Sequence, residues 1–356
     1  MFEDFFGHAQ VTQTLEQMLG QQRIPHTILL AGPEGVGKAT LARRFAGDLL
    51  ASSPADRHKI EHDDLSLPHN VELLAEREKL ATEKRSEDPL FLASHPDFIT
   101  FPPDGPLRQI SIQQMRLLKE YAGYRPNKGG WRVFLIDQMD RANEQAANSL
   151  LKTLEEPPAH LILMVTAENP SALLPTIRSR AVMFHLAPLS EDEMRGFVRA
   201  RKLDAAERRV VLAQGSPGLA VALDLEEYDR RREAMLALLR TAASAEPFSA
   251  WMKHSETIGA SKREKLDHYL KVLYILLEDM LLLRYGLEPL RNPDIRNELE
   301  TLASRLSYDW IRAAVERVDE MVDLLRRNIQ KSIALDALVL SLRRGGGVLA
   351  ASSSKG

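Results

Sequence analysis

The sequence predicts an α/β fold on a mostly parallel sheet, followed by a C-terminal part made only of helices. Three observations carry this. An apolar run, Thr27-Ile28-Leu29-Leu30-Ala31, leads straight into the glycine-rich Gly32-Pro33-Glu34-Gly35-Val36-Gly37-Lys38-Ala39-Thr40 and then a helical pattern to about Leu50. A second apolar run, Val133-Phe134-Leu135-Ile136, ends on the carboxylate of Asp137, as a buried parallel strand would. Beyond Pro188 the strand signals vanish, whereas before it strands and helices alternate.

The glycine-rich loop fits G-x-x-x-x-G-K-[S/T] at every constrained position except the last. Glycines let backbone N–H groups turn inward, the following helix aims its N-terminus at an anion, and Lys38 adds a point charge. The expected nucleotide contacts are therefore Gly32, Gly35, Gly37, Lys38 and Thr40, with Asp137 delivered to the same place by its strand. The spacing of the two runs is compatible with neighbouring strands of one sheet.

Two positions depart from what hydrolysis needs. Ala39 stands where a hydroxyl would ligate Mg²⁺, and Gln138, after Asp137, cannot act as a general base because an amide has no useful proton affinity. These losses predict ATP or ADP bound weakly and turned over poorly, and they leave the magnesium requirement open. Thr40 or a water standing in as metal ligand, giving an active motor, is the competing reading.

The chain has 356 residues, enough for two or three domains, and a formal net charge of −3, so no global basic field draws it to DNA. It contains no cysteine, which excludes disulfides, cysteine zinc modules and thiol catalysis and fits a reducing, cytoplasmic location. The N-terminal Met1-Phe2-Glu3-Asp4-Phe5-Phe6 has no signal-peptide character, and runs such as Leu161-Ile162-Leu163-Met164-Val165 are too short to span a bilayer, so no membrane role is expected.

Along the chain, residues 8–22 read as a helix with Val11, Leu15, Met18 and Leu19 on one face. Residues 52–94 read as a charged surface insertion, partly helical around Val71 to Lys84. Its His58, His62 and His69 read as solvated side chains, because their spacing fits no compact ligand pair. His95-Pro96-Asp97-Phe98-Ile99 enters a short strand, and Ile112 begins a helix. A helix from Asn143 to Glu156 is stopped by Pro157-Pro158. Leu161 to Thr166 and Val182 to His185 are further strands. Short helices follow over about 190–245, longer amphipathic ones over 247–343, such as Leu266 to Tyr285, and then a glycine- and serine-rich tail read as disordered.

The stretch from Leu135 through Asn143-Glu144-Gln145-Ala146-Ala147-Asn148-Ser149-Leu150-Leu151-Lys152-Thr153-Leu154-Glu155-Glu156 to Pro158 resembles the clamp-loader AAA+ family, as does Leu174-Pro175-Thr176-Ile177-Arg178-Ser179-Arg180. Gly7-His8-Ala9-Gln10, Ile24-Pro25-His26, His95-Pro96-Asp97-Phe98 and Gly215-Ser216-Pro217-Gly218 are further phrases of it. The resemblance is dense to about residue 225 and only architectural beyond.

It implies a P-loop AAA+ nucleotide-binding domain over 1–187 with a parallel sheet, a small helical lid over 188–245, an all-α collar over 246–343 for oligomerisation, and a tail over 344–356. It also implies a DNA polymerase III clamp-loader subunit in a hetero-oligomeric ring with delta-type and gamma/tau-type subunits, acting through the complex on a sliding clamp and primed DNA.

Within that resemblance Arg180 matches the arginine finger, which serves a neighbour's ATP site in trans; the plainer reading is that Arg178 and Arg180 are surface arginines before a strand. Thr166 matches a sensor residue that hydrogen-bonds near the γ-phosphate. The zinc module many relatives carry after the P-loop helix cannot form in the cysteine-free insertion. Where ATPase members place a sensing arginine in the lid, this chain has Pro217-Gly218. Its own site thus lacks three hydrolytic parts and the finger remains. A non-replicative AAA+ ATPase is the reading from another class, against which the helical C-terminus and the 143–158 phrase both argue.

Overall fold

The computed structural model describes residues 2, 4–260, 266–325 and 330–344. They pack as two units, Met1–Val221 and Ala222–Gly356.

The first unit is built on six strands: β1 (Thr27–Ala31), β2 (Leu92–His95), β3 (Phe98–Phe101), β4 (Arg132–Ile136), β5 (Leu161–Ala167) and β6 (Val182–His185). Their order is β2-β3-β4-β5-β1-β6, with every pair parallel except β2 and β3. The two motif strands are therefore not neighbours: β5 lies between β1 and β4, which corrects the sequence expectation. The register puts Leu30 beside Thr166 and Ile136 beside Val165, so Asp137 leaves the sheet next to Thr166.

β1, β4 and β5 are buried along their whole length, which is why they read as unbroken apolar runs rather than as alternation. Alternate side chains feed two cores. Ile28, Leu30, Val133, Leu135, Ile162 and Met164 pack on one face with Leu41 and Phe45 of α2 (Lys38–Leu50). Leu15 of α1 (Ala9–Gly20) joins that core. Leu29, Phe134, Ile136, Leu163 and Val165 pack on the other, against α6 (Ile112–Ala122), α7 (Glu144–Glu155) and α8 (Pro175–Arg178).

The insertion holds three helices, α3 (Pro54–His62), α4 (Pro68–Lys79) and α5 (Thr82–Glu87), more than the single helical stretch expected. It is anchored rather than draped over the surface. Arg77 is buried and grips Asp104 with Nη2 at 2.6 Å and Nε at 3.2 Å. Asp56 is buried and takes Lys128 Nζ at 3.1 Å. His62 and His69 stack with ring centroids 4.0 Å apart. The His-Pro-Asp-Phe phrase also gains a structural role: Asp97, fully buried, accepts the amides of Asn127 and Lys128, each at 2.7 Å, and so pins the loop ahead of β4.

After β6 come α9 (Glu191–Ala200), α10 (Ala206–Ala213) and α11 (Pro217–Ala222); Met194, Phe197, Val198 and Val210 extend the first core. The second unit continues with α12 (Leu225–Ala242), α13 (Phe248–Ala260), α14 (Leu266–Tyr285), α15 (Arg296–Arg305), α16 (Tyr308–Leu325) and α17 (Lys331–Arg344). α14 packs on α12, α15 and α16. The fully buried carboxylate of Asp279 is satisfied by the amides of Arg291 and Asn292 and by Asn292 Nδ2, at 2.7 to 2.9 Å. Tyr228 donates to Asn292 at 2.9 Å, and burial pushes its phenol up to about 12. The expected tail lies, from residue 345 on, outside the described residues.

Candidate functional site

The glycine loop leaves β1 and returns as the first turn of α2. Gly35 and Gly37 hold φ of +75° and +106°, a region that glycine enters without strain. Closeness adds a second constraint. A Cβ on Gly32 would lie 2.2 Å from the Leu186 carbonyl oxygen, and one on Gly35 would lie 2.9 Å from the Leu219 amide nitrogen.

A cleft forms beside this loop. Glu34, Gly35, Gly37, Lys38, Ala39 and Thr40 line it with Asp137, Gln138, Glu168 and Gly218. Sequence reasoning named the loop, Asp137 and Gln138. It missed Arg43, Asp64, Leu65, Ser66 and Glu168, which line the same cleft. Asp64 to Ser66 come from the insertion, where the buried Arg43 of α2 pairs with Asp64. Nothing in a charged stretch marks those three residues, since only the anchoring of α3 and α4 brings their turn to the loop.

Inside the cleft, Lys38 is buried and donates to its own loop's carbonyls, Gly32 at 2.6 Å and Pro33 at 2.7 Å. Burial lowers its pKa, while Glu168, Asp137, Asp140 and Glu34 oppose the shift. Burial raises the pKa of Glu168, and Glu34 adds to the rise. Glu34, Asp64, Asp137 and Glu168 thus line the cleft with Lys38 and Arg43, so carboxylates offset part of the attraction the loop offers a phosphate.

Thr166 is fully buried, donating to Asp137 Oδ1 at 2.5 Å and accepting the Gln138 amide at 2.8 Å. Gln138 itself turns at φ 56°, carrying the chain out of β4 immediately after the acid. Gly218 donates its amide to the Gly35 carbonyl at 2.8 Å, so α11 lies backbone to backbone on the loop.

The cradle fits the anionic end of a nucleotide in kind. Its metal position does not fit magnesium: Ala39 offers no donor, one oxygen of Asp137 is taken by Thr166, and Thr40 is displaced about 100° round the helix from Ala39. Phosphate attraction and metal chemistry have come apart in this cleft.

Arg180 is not among the residues lining it. It follows α8, whose Ile177 is buried in the second core and fixes the turn. Its side chain is about a third exposed, at 35 %.

A family model described as DNA polymerase III, delta subunit, matches residues 71–190. The DNA polymerase III subunit delta' of Pseudomonas aeruginosa is 29% identical over 242 residues, covering 65% of this chain and 67% of the relative. The subunit delta' of Escherichia coli is 30% identical over 223 residues, 62% of this chain and 65% of the relative. The chain is thus similar to the delta-prime subunits of DNA polymerase III. It spans about two thirds of the length of these two curated relatives. The match to a solved gamma-subunit-related DNA polymerase III protein from Thermotoga maritima covers 92% of this chain and 98% of that protein at TM-score 0.51 and 16% identity, which shows the shared fold. Among the described residues of this delta-prime-like chain, no helix is long and apolar enough to cross a membrane.

Proposed function

We propose that this delta-prime-like chain is a clamp-loader subunit of the DNA polymerase III holoenzyme. It supports ATP-dependent loading of a sliding clamp onto primed DNA in the cytoplasm, in a hetero-oligomeric ring with delta-type and gamma/tau-type subunits. The lid over 188–245 and the collar over 246–343 belong to the same reading, the collar holding the ring together.

One observation carries it. A partly exposed arginine sits on a turn anchored in the core, outside a cleft whose own metal and base positions hold Ala39 and Gln138. A guanidinium keeps its charge and grips two phosphate oxygens in one plane, which suits Arg180 to a neighbour's nucleotide and not to its own. ATP or ADP in this chain's cleft is held weakly by Gly32, Gly35, Gly37, Lys38, Thr40 and Asp137, with Thr166 acting through Asp137.

The test is the order of two effects in the reconstituted loader. Arg180→Ala leaves the subunit folded and assembled yet removes much of the DNA- and clamp-stimulated ATP hydrolysis, and Arg180→Lys restores little of it. Lys38→Ala costs less. The reverse order would make this subunit a motor, the alternative that Ala39 and Gln138 disfavour.

A further inference from the structure

Arg180 does not project freely. Its Nη2 lies 2.9 Å from Glu155 Oε1, and its Nη1 donates to the Thr176 carbonyl at 3.0 Å and the Ser179 hydroxyl at 3.3 Å. Both terminal nitrogens, the pair that would hold a phosphate, are engaged within the chain.

Glu155 ends α7, and Glu156 follows it. A helix C-terminus carries partial negative charge, so two carboxylates there are disfavoured by their own helix. A cation relieves that repulsion, and at Glu155 the cation is Arg180. The Glu155 side chain is about half exposed, at 49 %.

We propose that Glu155 is a positioning residue that latches Arg180 in a withdrawn geometry until a neighbouring subunit's nucleotide phosphate competes it away. The proposal rests on the reading of Arg180 as a finger in trans. The exchange is feasible because a water-exposed ion pair is screened and weakly held. A phosphate offers two oxygens and more charge to the same planar fork. Glu155 therefore sets how readily the finger is released, while the chemistry at the neighbour's site stays with Arg180. Because the withdrawn state is held by one exposed ion pair and two exposed hydrogen bonds, a phosphate that engages both terminal nitrogens shifts the balance between the states.

The experiment is ATP hydrolysis by the reconstituted loader, without and with clamp and primed DNA, for wild type, Glu155→Gln, Arg180→Ala and the double variant. Glu155→Gln should raise the unstimulated rate roughly two- to fivefold, the range one exposed ion pair can hold back, and leave the stimulated maximum unchanged. Raising ionic strength should reproduce part of that rise in wild type and none of it in Glu155→Gln. In the Arg180→Ala background, Glu155→Gln should do nothing. An unchanged unstimulated rate, a lowered stimulated maximum, or an effect that persists without Arg180 would each overturn the latch. Full stimulated hydrolysis in Arg180→Ala alone would instead remove the finger reading beneath it.

Discussion

The Thr166 hydroxyl joins Asp137 and Gln138 at the end of β4, donating to Asp137 at 2.5 Å while accepting the Gln138 amide at 2.8 Å. The register of β4 against β5 forces this meeting, since Ile136 lies beside Val165 and the next residues on each strand are Asp137 and Thr166. Asp137 is thereby held by a neighbouring strand independently of any metal.

Replacing Thr166 with valine should therefore act on stability. It strips a partner from a buried carboxylate oxygen and from a backbone N–H, and each loss of that kind costs about 1–3 kcal/mol. Thermal denaturation of Thr166→Val should show the midpoint of the first unit lowered by roughly 4–24 °C, at about 2–4 °C per kcal/mol. An unchanged midpoint would mean the hydroxyl does not hold the acid.

Glu168→Gln should tighten nucleotide binding. The carboxylate lies in the cleft with Glu34 and Asp137, and its removal takes one negative charge away from the place a polyphosphate would occupy. One charge at such range through a partly wet site is worth about 1 kcal/mol, or roughly fivefold in affinity for ADP. Titration of the two proteins with ADP measures the difference, and equal affinities would show that the carboxylates are not what weakens binding.

Arg77→Ala should detach the insertion. The guanidinium is buried, holds both oxygens of Asp104 and bonds the Asp88 carbonyl at 2.6 Å, so truncation leaves a buried carboxylate unpaired. Breaking such a pair costs about 3–5 kcal/mol. Limited proteolysis should then cut within residues 52–94 well before the rest of the first unit. Because Asp64 to Ser66 sit on that insertion, hydrogen exchange in the glycine loop should rise as well.

Acidification should weaken the first unit through His95. It is fully buried, its Nδ1 accepts the Asp97 amide at 3.1 Å, and burial lowers its pKa below the ordinary value, Asp56 and Asp97 opposing the shift. The unfolded chain then binds a proton near pH 6.5 that the folded chain refuses. The associated stability is present above about pH 6.5 and is lost as pH falls through it, by up to about 1.4 kcal/mol per pH unit. His8, lowered by burial too, adds in the same direction. Denaturant midpoints between pH 7.5 and 5.5 check the slope, roughly one proton per group, and His95→Gln should reduce it to the part that His8 contributes.

The strand and helix runs were legible because each was written in one local pattern. β1, β4 and β5 are continuous apolar runs between polar turns, α14 occupies the predicted Leu266–Tyr285, and the glycine loop needs its residue types in sequence. Ala39, Gln138 and Arg180 could likewise be read off in place, because each sits inside a contiguous motif. What tertiary structure alone decided is which distant pieces meet. β5 comes between the two motif strands, Asp64 of the insertion pairs with Arg43, Gly218 rests on Gly35, and Glu155 holds Arg180. The reason is physical: periodicity encodes which face of an element is buried, but a charged residue carries no local mark of its partner. Such pairings follow only from sheet order, register and the anchoring of each loop.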